Sequence, residues 1–158
     1  MTGSYVDTTF VYAVVRGEVP APHAATVDAW IEQTREHRPL SWSALVVDEV
    51  AYRLALGFLR DAGVADPLTA FRQDASTSMR QIRGRLADVW ARLDEFGFSL
   101  LETDDAVVTR AKTLMADPGL APRDAFHAAH ALQGGCEVIV STDADFDAVT
   151  GLRRIGPP

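Results

Sequence analysis

With 158 residues, the chain is long enough for one domain that buries roughly two-thirds of its unfolded surface. A hydrophobic share of 47% beside 23% charged residues suits a globular protein, and no apolar run approaches the roughly 18 residues of a membrane span. Fifteen Lys and Arg against 22 Asp and Glu give a net charge of −7, which argues against a protein that coats nucleic acid. A protein of this charge meets a polyanion only where acids are neutralised by metal and basic residues are clustered.

In chain order, the opening MTGSYVDTTF has no basic stretch leading into an apolar core, so no secretory signal is expected. Residues 4–15 form a nearly continuous apolar, β-rich run, expected to be a buried parallel strand leading into a turn or helix. Asp7 interrupts that run. A helix is expected over 22–37, with Pro22 at its first position and Ala25, Val27, Trp30 and Ile31 on its apolar side. A second helix is expected over 43–62, capped by Ser43 and ended by Gly63. Its buried stripe is Leu45, Val46, Val50, Leu54 and Phe58.

After a break at Asp66-Pro67, a long polar helix is expected at about 75–96. Phe98–Leu101 then reads as a short strand, and Asp104 and Asp105 open a helix to about Met115. Asp117-Pro118-Gly119 signals a turn. A further helix follows from Pro122 to Leu132, then a strand at Glu137–Val140, an acid-rich loop to Asp147 and a last short strand at Leu152–Ile155. Cys136, the single cysteine, reads as a small buried hydrophobe and agrees with a reducing, cytoplasmic home. Alternating strands and helices predict an α/β fold: a three-layer α/β/α domain over 1–158 with a mainly parallel sheet and a helical arm at about 64–96.

Four acids stand in costly or ordered places. Asp7, inside an apolar run, costs several kcal/mol unless compensated. Its alternative reading is an Asx turn. Asp143 follows the strand VIV at the mouth where open α/β sheets bind ligands. Asp124 opens an Ala-rich helix, where pairing with the helix dipole explains it equally well. Glu49 sits at the border of its helix's buried stripe and alone reads as a solvated carboxylate, while Asp48 points further round. Brought together, such carboxylates repel each other unless a cation compensates, and Mg²⁺ or Mn²⁺ suits an all-oxygen set without His or Cys. A site of this kind hydrolyses phosphodiesters without a protein nucleophile.

The ordered segments YVDTTFVYA, VVDEVAYRLA, LAPRDAFHAAHAL, VIVSTDADFDAV and GLRRI resemble the PIN-domain family over about 4–156, most of all the VapC-type toxins of toxin–antitoxin pairs or a stand-alone relative of them. The resemblance implies a metal site of Asp7, Glu49, Asp124 and Asp143, with Asp145 as a possible assistant and Ser141 as a supporting hydroxyl. It implies a Mg²⁺- or Mn²⁺-dependent endoribonuclease that cuts single-stranded RNA to leave a 5′-phosphate. It also implies a homodimer and a small antitoxin partner. The 64–96 segment is longer and more polar than the family pattern.

Arg80, Arg83, Arg85 and Arg123 are the candidates for phosphate contact. Arg72 and Arg92 add to the positive charge of the arm, where a solvated helix face pairing with Asp74, Asp88 and Asp94 competes with that reading. His127, three residues after Asp124, shares its helix side and reads first as a packed or hydrogen-bonded histidine. Trp30, Trp42 and Trp90 read first as packing residues. Two other functions compete. A haloacid-dehalogenase-like phosphatase is suggested by Asp7-Thr8-Thr9, but the second Asp is missing and Lys112 is the only lysine. The other is a catalytically weak PIN-like module that binds a partner protein or RNA.

Overall fold

The computed structural model describes residues 3–158. Among these, five parallel strands form one sheet: β1 (Ser4–Val6), β2 (Leu40–Ser43), β3 (Ser99–Leu101), β4 (Val138–Val140) and β5 (Arg153–Ile155), in the spatial order β3-β2-β1-β4-β5. Helices flank the sheet in the expected three-layer α/β/α arrangement. The helices are α1 (Thr8–Arg16), α2 (Val27–Thr34), α3 (Ala44–Asp61), α4 (Pro67–Gln73), α5 (Ala75–Asp94), α6 (Asp105–Ala116) and α7 (Pro122–Gln133). None is long and apolar enough to cross a membrane.

The strand order reverses between β1 and β4, which pair in register from Ser4 with Val138 to Val6 with Val140. Crevices that accept ligands open at the carboxyl ends of strands beside such a reversal. Tyr5, Val6, Ile139 and Val140 are fully buried there.

Several boundaries differ from those expected. The apolar run 4–15 is strand only to Val6. Asp7 then turns the chain and α1 begins, because the Asp7 carboxylate accepts the otherwise unpaired N–H groups of Thr9 and Phe10. Gly17, at φ 72°, ends α1 in the left-handed conformation that glycine adopts without strain. The helix expected from Pro22 starts at Val27, where the Thr26 hydroxyl accepts the Ala29 N–H. Ser43 closes β2, a strand not anticipated because its four residues, Leu-Ser-Trp-Ser, show little β pattern. Helix α4 was also unanticipated; Asp66 caps it at Thr69 and Pro67 occupies its first turn.

The described residues divide into two compact units, the chain up to Val47 with Phe98–Pro158, and Asp48–Gly97. In the first, Phe10 meets Trp30 edge-on, with ring centroids 5.1 Å apart. Trp42 packs on Phe98 at 4.7 Å. The second unit holds most of α3 together with α4 and α5. Val50, Leu54 and Phe58 are buried along α3, and Ile82, Leu86, Val89 and Leu93 along α5, each series at helical spacing. Arg85 lies 3.8 Å over the Phe58 ring and donates to Asp61 at 3.0 Å. Its guanidinium therefore has partners inside its own unit.

Trp30 is fully buried, so Trp30→Ala is expected to lower the unfolding free energy by about 3–5 kcal/mol. Urea titration of both proteins measures the difference directly.

Candidate metal centre at the sheet's carboxyl edge

Asp7 is buried at the end of β1, with 4% of its surface exposed, and its two oxygens are divided between two strand ends. Oδ1 accepts the Thr9 N–H at 2.9 Å, the Thr9 hydroxyl at 2.7 Å and the Phe10 N–H at 3.2 Å. Oδ2 accepts the Ser141 hydroxyl, just beyond β4, at 2.6 Å. The Asp143 N–H donates to the Ser141 oxygen at 2.9 Å, and the Thr142 N–H donates to the Thr9 hydroxyl at 3.1 Å. Asp7 is thus both the helix cap weighed for it and the anchor of the loop after β4. Burial pushes its carboxyl above the usual range, while the Ser141 and Thr9 hydroxyls, His127 and the Phe10 N–H pull the other way.

The carboxylates that come together most tightly are Asp124, Asp143 and Asp145, whose oxygens lie within 4.8 Å of one another. Asp124 stands in the first turn of α7. Asp143 caps the 3-10 turn Ala144–Ala148 by accepting the Asp145 N–H at 2.9 Å. That turn replaces the loop expected up to Asp147 and swings Asp145 back beside Asp143. Asp124 and Asp143 are half-buried and Asp145 is exposed. Asp124 has its carboxyl raised, first by burial, then by Asp143, with further contributions from Asp145 and Asp7; His127 opposes the shift. Mutual repulsion of this kind is what a bound cation relieves, and three carboxylates, one of them exposed, fit a small hard divalent ion. Asp145, ranked behind Asp143 from the sequence, therefore belongs to the cluster. Glu49 is buried on α3, and Asp48 beside it is exposed.

Three supports were not anticipated. Thr9 links Asp7 to the Thr142 backbone; the signal was a hydroxyl two residues after an Asp at a strand end. Arg154 holds both oxygens of Asp147, at 3.0 and 2.8 Å, and reaches the Ser141 carbonyl at 3.4 Å, tying β5 to the acidic loop. The Tyr5 hydroxyl lies 2.7 Å from the Ser43 hydroxyl and 2.9 Å from His127 Nδ1. His127 is the buried, hydrogen-bonded histidine expected. Neither Tyr5 nor Ser43 had shown a functional pattern.

The PIN domain family model matches residues 4–152. The chain belongs to the PIN-domain family. No curated protein matches it. Among solved structures, this PIN domain is similar to a toxin–antitoxin complex from Klebsiella pneumoniae, with 16% identity, TM-score 0.57, and coverage of 99% of this chain and 98% of that one. It is similar to VapBC2 from Rickettsia felis bound to a DNA fragment from its promoter, with 14% identity, TM-score 0.58 and 97% of each chain covered. It is also similar to VapBC-1 from nontypeable Haemophilus influenzae, at 15% identity, TM-score 0.53, and 97% and 96% coverage. At these identities the likeness is one of fold.

Two predictions come from this geometry. The raised pKa of Asp124 means that its ionised form opposes folding. That cost is absent below pH about 3.8, where the carboxyl is protonated both folded and unfolded, and it grows as pH rises toward the folded pKa. Asp124→Asn should therefore raise the melting temperature of the metal-free PIN domain at pH 7, with the gain vanishing near pH 3. In Ser141→Ala, Asp7 and the Asp143 N–H both lose a partner, so stability at pH 7 should fall by about 1–3 kcal/mol, as read by denaturant titration.

Proposed function

We propose that this PIN domain is a Mg²⁺- or Mn²⁺-dependent endoribonuclease that hydrolyses phosphodiester bonds of single-stranded RNA, serving as the toxin of a type II toxin–antitoxin pair. The observation that carries the reading is the triad Asp124, Asp143 and Asp145, with ligand oxygens within 4.8 Å, in a chain of a family of nucleases. In this reading Asp7 and Glu49 belong to the same acidic site, and Ser141 supports it. A small antitoxin and a second copy are the expected partners. Similarity to a solved toxin–antitoxin complex and to two VapBC structures supports the antitoxin. The lone, buried Cys136 agrees with a reducing cytoplasmic setting.

Asp124, Asp143 and Asp145 would hold the ion. When bound, it supplies Lewis acidity toward a phosphate oxygen and makes a water molecule more acidic. The protein's own contribution is placement. The Ser141 and Thr9 hydroxyls favour the charged form of Asp7 against its burial. The cap at Asp143 fixes the acidic turn, and Arg154 restrains that turn through Asp147. Arg123 follows Pro122 into the first turn of α7, next to Asp124 and exposed, where a guanidinium fork suits a phosphate of the substrate. Arg80, Arg83 and Arg85 lie on α5 and are second candidates for backbone contact. Arg80 donates to the hydroxyls of Ser76 and Thr77.

Purified protein with Mn²⁺ should cleave unstructured RNA, EDTA should stop it, and the product should carry a 5′-phosphate. Asp7→Asn and Asp124→Asn should each lose more than about a hundredfold in kcat/KM. Ser141→Ala, which touches a carboxylate from behind, should lose about 10- to 100-fold. Activity undiminished in Asp124→Asn would sink the assigned site. Thermal stabilisation by Mn²⁺ with no RNA cleaved would leave a binding module instead.

A further inference from the structure

Beside the acidic cluster, a separate cleft of about 410 Å³ opens between Leu45, Thr103, Pro122, Arg123, Phe126 and His130, within the size range of small-ligand sites. Leu45 follows β2 and Thr103 follows β3, so this cleft lies at the same carboxyl edge of the sheet. Its remaining wall is helix α7. Arg123, Phe126 and His130 recur at spacings of three and four and form one stripe, and Asp124 stands one residue round from Arg123. One helix thus presents a carboxylate of the proposed metal site and, on the adjoining face, an aromatic cleft with a guanidinium at its mouth.

We propose that this cleft holds one unpaired base of the RNA, next to the phosphate that is cut. The inference rests on the nuclease reading above. Its chemistry is that of single-strand recognition: the Phe126 ring is a stacking face, Leu45 and Pro122 enclose the base, and Arg123 meets a flanking phosphate. The cleft's lining is almost wholly apolar, and the one polar pair behind it has a defined sense. His130 Nδ1 lies 2.8 Å from the Phe126 carbonyl, which can only accept, so Nδ1 carries the ring proton. His130 Nε2, 2.9 Å from the Thr103 hydroxyl, then accepts from it. Burial, which lowers the His130 pKa, keeps the ring neutral and holds this sense. That pair is satisfied within the protein, so the cleft offers a base stacking and apolar enclosure without reading which base it is.

The test is a cycle between base and side chain. A short single-stranded RNA is made with an abasic residue at each position in turn. Each version is offered to wild type, Phe126→Ala, Phe126→Leu and Arg123→Ala, with thermal melting as the folding control. Binding is read by fluorescence anisotropy without metal, and cleavage with Mn²⁺. With wild type, one abasic position adjoining the cut should weaken binding and kcat/KM roughly five- to a hundredfold, as loss of one stacked base does. In either Phe126 variant the same abasic position should cost almost nothing more. Arg123→Ala, at an exposed position, should weaken binding of every version about equally and flatten its salt dependence. Exchanging the base at that position for any other should change binding less than removing it does; a base preference larger than the abasic loss overturns the stacking role given to Phe126.

Cleavage by wild type with fully multiplicative losses at every position overturns the base site, leaves the nuclease reading standing, and points to a protein side chain as the occupant. Coupled binding without cleavage keeps the base site and removes the nuclease reading. Neither binding nor cleavage of any version removes both.

Discussion

The hydrogen bond from Ser141 to Asp7 is the constraint on which the site depends. An ionised carboxylate at the end of a buried strand is unfavourable unless donors surround it, and here the donors come from two directions. Thr9 and Phe10 supply them from α1, and Ser141 supplies one from the segment after β4. Two of these residues also do a second job. Thr9 receives the Thr142 N–H, and Ser141 receives the Asp143 N–H. The acid that would destabilise the core therefore sets the path of the loop carrying the other acids. A low local dielectric strengthens such a network when it is complete and penalises it when one member is missing.

The charge problem posed by composition is resolved locally. A net charge of −7 does not describe the field at every point of the surface. Three of the acids are concentrated in one cluster, Asp147 is held by Arg154, and Asp61 by Arg85. A cation in the cluster would lower the negative potential there, and Arg123 stands next to Asp124 in the chain. Far from there, the excess of acids keeps the protein from adhering indiscriminately to nucleic acid.

Much of this was legible in the sequence, and the residues show why. The strand VIV and the helices at α5, α6 and α7 emerged within a few residues of their bounds, because each has a long apolar period or a clear cap. Asp104 and Asp74 cap their helices at Val107 and Thr77. By contrast, β2 is four residues of which two are serine. It is a strand because it lies between β1 and β3, a fact about partners and not about propensity. The overlong first strand has the same origin: apolar residues continue past Asp7 because α1 is itself buried. At the site, Asp7, Asp124 and Asp143 were singled out by position, whereas pairing Asp145 with them required the 3-10 turn. The Tyr5–Ser43–His127 contacts join three distant segments, and no local pattern encodes them.

The separation along the chain between Ser141 and Asp7, 134 residues, has a consequence for how the protein comes into being. Loop-closure entropy must be overcome before β4 can settle beside β1, so this pairing is among the non-local steps that make parallel sheets slow to form. Until that strand docks, Asp7 has no Ser141 and the acidic turn has no anchor. A chain still emerging from the ribosome, or one collapsed without its fourth strand, holds all the acids but no centre. Whatever chemistry the cluster performs is switched on by completion of the sheet, and a cell making this protein meets it only as a finished fold.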